Sequence, residues 1–413
     1  MRLRGLILVA ALGLVAAACS GGSSIAEETA GSSTTTQPSS SGTSDGTSTS
    51  PGMVEGDLTF SVADGYTARW IAEGIKPDLA LAADGAPGIA YLVEDLAGHI
   101  AYSDVGSGWS SEHLIDGYFY GPIGLAYGSD GEPRVAYHDH QDVSFDEEKG
   151  DLTVAVRGDG QWTIEAIPDV GHDGWDSTIA IGADGVVRAA GIDPQQFGRT
   201  EGVEYFELTG AGWQVTEIGS GPVAYEFNVS LAVDPEGDPA LTYYDSTAGE
   251  LRYAARSDGT WSIETVDADG DVGRYSSLAF DASGAPHISY LRLDGATTGT
   301  VRYAMRDGDR WTTSDVDTLF ALRTGFTGAR RVTAIAIDSD QQPHVVYSDE
   351  SVVKRAVPDG QAWQTSSIVT AGERPLGQLV SFALDSNDVL HLAVFEVTLE
   401  NPLQGVVGYL TAS

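Results

Sequence analysis

The chain has 413 residues, with 22 basic against 60 acidic side chains and a net charge of −38. Its pI is near 4.2, and only three of the basic residues are lysines. Such a surface repels nucleic-acid phosphate and anionic lipid headgroups, which argues against both as partners of the folded part and reads most simply as adaptation for solubility or salt.

Arg2 and Arg4 precede an apolar run from Leu6 to Ala18. The run is too short to span a bilayer comfortably, and residues 1–18 read as a secretory signal. It ends Leu14-Val15-Ala16-Ala17-Ala18-Cys19, and Cys19 is the only cysteine, so no disulfide forms within the exported chain. Small residues leading into a cysteine resemble the lipobox of bacterial lipoproteins. The resemblance implies cleavage before Cys19, lipid modification of Cys19, and an extracytoplasmic domain whose only membrane contact is that lipid. An ordinary cleaved signal with an incidental cysteine is the alternative. Residues 20–56 are mostly Ser, Thr and Gly and cannot bury a core. With Cys19 they form a flexible tether, 19–56, spanning roughly 30–40 Å.

The remainder, 57–413, is built from one repeat. A large apolar residue, Ala, then another large apolar residue marks the first strand of each copy. The copies are Leu79-Ala80-Leu81, Leu125-Ala126-Tyr127, Ile179-Ala180-Ile181, Leu231-Ala232-Val233, Leu278-Ala279-Phe280, Ile335-Ala336-Ile337 and Phe382-Ala383-Leu384. The central alanines lie 46, 54, 52, 47, 57 and 47 residues apart. A period near fifty containing four strands predicts an all-β, seven-bladed β-propeller with four antiparallel strands per blade. The small central residue lets neighbouring blades approach near the axis.

A turn before strand four usually ends in Trp, as in Asp159-Gly160-Gln161-Trp162, Asp258-Gly259-Thr260-Trp261 and Asp307-Gly308-Asp309-Arg310-Trp311. The first such turn, at Asp64-Gly65-Tyr66, precedes every first strand, whereas the last copy ends without one. Residues 66–72 are therefore expected to complete the C-terminal sheet and close the ring. Leu58–Val62 and Val406–Leu410 compete for the third strand of that sheet, and the C-terminal segment is preferred.

The 1–2 and 3–4 hairpins are short, alike and structural. The 2–3 and 4–1 connections share the opposite face and differ between repeats, which is where recognition belongs. The 4–1 connections carry Tyr120, Trp175, Tyr225, Tyr275 and Phe326, rings suited to the flat faces of sugars, with Arg274 and Arg374 beside them. The competing reading is that these rings plug gaps between blades. After strand two, Asp139, Asp245 and Asp349 recur at one structural position. They either ring a channel mouth, where paired carboxylates would serve glycoside chemistry, or bond nearby loop amides. Asp267, Asp269 and Asp271 resemble part of an oxygen-rich Ca²⁺ loop but lack the terminal bidentate Glu.

The repeats SLAFDASGAPHISY and RSDGTWSIETVD resemble those of bacterial propeller proteins akin to the sialidase and Asp-box group and to seven-bladed lectins. The turn is similar to an Asp box, although most copies lack the leading Ser/Thr-x-Asp-x-Gly spacing, and in sialidases that box lies away from the active site. A sialidase arginine triad and Tyr–Glu pair find no place here, which turns the reading away from catalysis. The expectation is a monomeric cell-surface lipoprotein that binds carbohydrate through its variable face. An envelope protein–protein scaffold is the alternative, and a hydrolase or lyase the third reading.

Overall fold

The structure is a computed structural model that describes residues 58–93, 96–139, 151–167, 175–193, 202–220, 229–319, 332–377, 379–398 and 404–412. The signal, Cys19 and the tether lie outside the described residues, as do Tyr225 and Phe326.

The described secondary structure is β-strand throughout. After β1 (Ser61–Val62) and β2 (Tyr66–Glu73), seven strands form one sheet in sequence order: β3 (Ile75–Leu81), β4 (Pro87–Val93), β5 (Leu96–Asp104), β6 (Glu112–Tyr127), β7 (Pro133–Asp139), β8 (Asp151–Gly158) and β9 (Gln161–Ala166). A four-stranded sheet follows: β10 (Trp175–Ile181), β11 (Val187–Asp193), β12 (Gly202–Thr209) and β13 (Gly212–Ser220). The next comprises β14 (Ser230–Val233), β15 (Pro239–Asp245), β16 (Glu250–Ser257) and β17 (Thr260–Asp267). A third comprises β18 (Asp271–Phe280), β19 (Pro286–Leu293), β20 (Gly299–Asp307) and β21 (Arg310–Leu319).

The last two sheets draw on both ends of the described chain. β22 (Thr333–Ile337), β23 (Pro343–Ser348), β24 (Val352–Asp359) and β25 (Ala362–Thr370) take β1 as a fifth strand. β26 (Ser381–Leu384), β27 (Leu390–Val397) and β28 (Gly405–Ala412) take β2, which pairs antiparallel with β28 from Tyr66↔Ala412 to Glu73↔Val406. Val406–Leu410 thus holds the third position in that sheet, and the competing segment goes to the edge of its neighbour, with Val62 opposite Val369.

Seven separate four-stranded sheets were expected, and here the structure differs. Five sheets have the size of a single repeat, four of them with four strands and one with five, while the sixth has seven strands. The cause is β6. Its first half pairs with β5 and its second half with β7, so the ladder never breaks between the first two repeats.

Burial is greatest in the second strands and least in the fourth. β19 is buried along six successive residues, whereas β25 exposes most of its length. Strands covered on both faces read as continuous apolar runs, which is why ISYL and VVY lack polar alternation. The seven central alanines are partly buried and packed against the apolar clusters between sheets.

Two contacts recur between repeats. In four of the seven copies the residue before the apolar–Ala–apolar triplet offers a side-chain oxygen to a backbone N–H of the next copy. Asp78 accepts from Leu125 N (2.7 Å), Ser230 from Leu278 N (3.0 Å), and Ser277 from Ile335 N (3.2 Å). Ser381 accepts from Leu79 N at 2.9 Å, linking the last copy to the first. The turn tryptophans pack edge-on against a tyrosine in strand three of the preceding copy: Trp162 on Tyr102, Trp261 on Tyr205, Trp311 on Tyr253 and Trp363 on Tyr303, at 4.9–5.5 Å between centroids. Trp109 meets Tyr409 at 4.7 Å between centroids, with the rings tilted at 37° rather than edge-on.

Candidate functional site

Antiparallel order places the ends of second and fourth strands, and the starts of first and third strands, on one edge of every sheet. On that edge the fourth and fifth copies join a set of charged and aromatic side chains.

Its centre is Asp271, the first residue of β18. Arg274 reaches back from the same strand and bonds both carboxylate oxygens, through Nε at 2.9 Å and Nη2 at 2.8 Å. Tyr244, near the end of β15, donates its hydroxyl to Asp271 at 2.7 Å, and the Arg274 guanidinium lies 4.6 Å from the Tyr244 ring centroid. Burial works to raise the Asp271 carboxyl, but the hydrogen bonds from Arg274 and Tyr244 outweigh it and hold it below the usual range. Burial, and then the bond to Asp271, pushes the Tyr244 phenol up to about 12.

A second group sits beside it. Asp267, closing β17, accepts from Tyr290 Oη at 2.5 Å and Arg302 Nη1 at 2.6 Å, and both members of the ion pair are nearly dry, with side chains 6% and 8% exposed. Burial, then the Asp267 charge, drives the Tyr290 phenol far above its ordinary range. Arg292 spans the mouth of the group, 2.8 Å from Asp294, 3.6 Å from Asp269 and 3.7 Å from Asp315. The Asp269 side chain is 77% exposed, so the group opens to solvent on that side.

Of the residues named from the sequence, Arg274 and Asp271 are brought together. Asp267, Asp269 and Asp271 do not form one oxygen cage, since each faces an arginine. Among the described residues, the metal-ligating side chains that converge in a group of three are His99, His113 and Asp116, in the first repeat.

Tyr275 corrects the expectation of a loop-borne ring. It is 7% exposed and packs into an apolar cluster, and its carbonyl accepts from Thr333 Oγ1 at 2.9 Å. The segment is strand, because β18 begins at Asp271 and carries a register shift between Arg274 and Ser277. Tyr275 has φ +54°, and Lys76 (+51°) and Asp176 (+55°) repeat this at the same place in β3 and β10. The bulge bends each first strand while keeping it paired. Tyr120 and Trp175 likewise fall within strands, in β6 and at the start of β10, rather than in connections.

Arg374 serves a different end. Its guanidinium lies 3.0 Å from Glu396, whose side chain is wholly buried, and that carboxylate also accepts from Thr59 N at 2.9 Å and Thr59 Oγ1 at 2.6 Å. The pair clamps the entry to β1. Asp245 accepts from Thr247 N and Ala248 N and pairs with Arg252 at 3.1 Å, and Asp349 accepts from Ser351 N, Ser351 Oγ and Val352 N. Both bond the amides of their own loops. Asp139 ends β7 half-buried.

Tyr244 and Arg292 were missed by the sequence reading. A signal existed for Tyr244: the matching residues of other copies are Leu92, His138, Ile192, Leu291, Ser348 and Phe395, so a phenol stands at a mostly apolar position.

No protein-family model and no curated protein matches the chain. Among solved structures, an ulvan lyase of polysaccharide lyase family PL25, bound to -[GlcA(1-4)Rha3S]-, is similar at TM-score 0.57 and 11% identity, covering 83% of this chain and 95% of that one. An α-L-arabinofuranosidase from Fusarium graminearum gives 0.47 at 14% identity, over 71% of this chain and 92% of that one. A protein of unknown function from Dyadobacter fermentans gives 0.48 at 13% identity, over 85% and 100%. The likeness to the lyase speaks for the fold: an all-β propeller of antiparallel strands.

Proposed function

We propose that the protein binds carbohydrate at the edge formed by Asp271, Arg274, Tyr244, Arg292 and Asp269. The observation that carries this reading is the Asp271–Arg274–Tyr244 group, where a guanidinium is stacked on an aromatic ring and fixed by a carboxylate. Sugar hydroxyls need such preset donors and acceptors beside an apolar face. A saccharide carboxylate would compete with Asp271 for Arg274 and with Asp269 and Asp315 for Arg292. The ulvan lyase supports the reading through its fold and its bound saccharide.

Glycan-array binding followed by titration tests this. Arg274→Ala is expected to weaken binding at least tenfold and Tyr244→Phe severalfold, with uronate-bearing glycans affected more than neutral ones. An array that stays blank at high protein concentration overturns the proposal.

The architecture proposed around this site is a closed ring. Two repeats share the seven-stranded sheet, β2 pairs with β28, and the Ser381–Leu79 and Trp109–Tyr409 contacts tie the last copy to the first. Anchoring by a lipid on Cys19, with 20–56 as tether, completes the proposal and rests on the sequence of residues 1–56. Expressed in a bacterial host, Cys19→Ala is expected to move the protein from the membrane to the soluble fraction.

A further inference from the structure

We propose that His99, His113 and Asp116 form a surface site for a divalent transition-metal ion of the zinc type, in the first repeat and separate from the Asp271–Arg274–Tyr244 group. His99 in β5 lies directly opposite Asp116 in β6. His113 and Asp116 are three residues apart, and in a regular strand they would point to opposite faces. The ladder prevents that. Ile100 pairs with Ile115 but Ala101 pairs with His113, so Leu114 is an extra residue on β6. This bulge returns His113 and Asp116 to one face while Leu114 turns inward, 8% exposed.

Three ligand atoms converge as a result. His113 Nε2 is 2.9 Å from Asp116 Oδ1, the His99 and His113 ring centroids are 4.9 Å apart, and one ligand atom from each residue lies within 4.8 Å of the others. Ligand atoms about 2.0–2.1 Å from a tetrahedral zinc ion stand roughly 3.3 Å apart. The His113–Asp116 pair is already near that spacing, and a small rotation of the His99 ring brings in the third ligand.

Two imidazoles and one carboxylate make a donor set suited to Zn²⁺, Co²⁺, Ni²⁺ or Cu²⁺, whereas Ca²⁺ and Mg²⁺ take oxygen. Three protein ligands leave a fourth position for water or a ligand atom. The His113 and Asp116 side chains are 52% and 81% exposed, so the ion would enter from solvent without any rearrangement of the sheet. The net charge of −38 raises the local cation concentration.

The test is a titration of metal-free full-length chain carrying Cys19→Ser, which removes the competing thiol, with Co²⁺ and Zn²⁺. We expect one equivalent bound per chain, with visible Co²⁺ absorption that Zn²⁺ displaces. His99→Ala and His113→Ala should each weaken binding at least tenfold and the double variant abolish it, while His172→Ala leaves it unchanged. His113 is exposed and His99 half-buried, and circular dichroism checks that the variants stay folded. Saturable binding absent below about 1 mM, or unchanged in the double variant, overturns the proposal.

Discussion

Asp267 shows how much one buried side chain decides. It neutralises Arg302 and receives the Tyr290 hydroxyl in a place where neither charge meets water. Asp267→Asn leaves the guanidinium buried beside a weaker partner, and breaking such a pair costs about 3 kcal/mol. We expect that loss in urea unfolding, with Asp269→Asn, fully exposed by comparison, close to neutral. Histidines set a second dependence. His287, His344 and His391 occupy one register position, each beside the aspartate of its own 1–2 turn, and burial holds all three below the ordinary value of 6.5. Below about pH 6.5 the unfolded chain therefore binds more protons than the fold, so stability rises with pH in that window and is lost as pH falls. The urea midpoint is expected to be flat above pH 7.5 and to drop between 6.5 and 5. Replacing the three histidines by Asn should flatten that drop. Asp271, Asp281 and Asp317, whose folded values are depressed, extend the loss to lower pH.

At the scale of the element, the bends in the first strands are the informative feature. Gly273 has φ +107°, and a Cβ there would sit 2.6 Å from the Leu251 Cα, against backbone that cannot move aside. Gly259 closes the Asp258-Gly259 turn with φ +74° but has open space around it. Gly259→Ala therefore meets only the left-handed penalty, about 1 kcal/mol. Gly273→Ala adds the clash and is expected to cost at least twice as much in thermal unfolding. The turn tryptophans are the other recurring element. Trp109, Trp162, Trp261, Trp311 and Trp363 each reach across to a tyrosine of the preceding copy, and such pairs contribute about 0.5–1.5 kcal/mol beyond the area they bury. Trp311→Ala should destabilise by about 2–3 kcal/mol and Trp311→Phe by less than half of that.

For the whole molecule the joining strand is decisive. β2 comes from the start of the described chain and β28 from its end, so removing residues 57–73 strips a strand from one sheet and, with β1, another from its neighbour. It also frees the buried Glu396 from Thr59. The truncated protein is expected to lose cooperative unfolding and to aggregate through the bare β28 edge. A melting curve matching that of the intact chain would contradict this.

Much of the architecture was legible because it rests on local chemistry repeated many times. Alternating apolar residues, Asp-Gly turns and the apolar–Ala–apolar triplet identify strands and their period, since each depends only on neighbours in sequence. The loop-bonding roles of Asp245 and Asp349 were among the readings their position allowed, for the same reason. Tertiary structure alone decided the rest. An unbroken β6 depends on which strand offers the next free edge, and the inward turn of Tyr275 depends on a bulge that reverses its face. Arg374 meets Glu396, and Tyr244 meets Arg274, only after the strands around them have paired and neighbouring sheets have packed. A residue's type fixes what it can bond, but its partner is chosen by the fold, because burial makes an unpaired polar group too costly to leave.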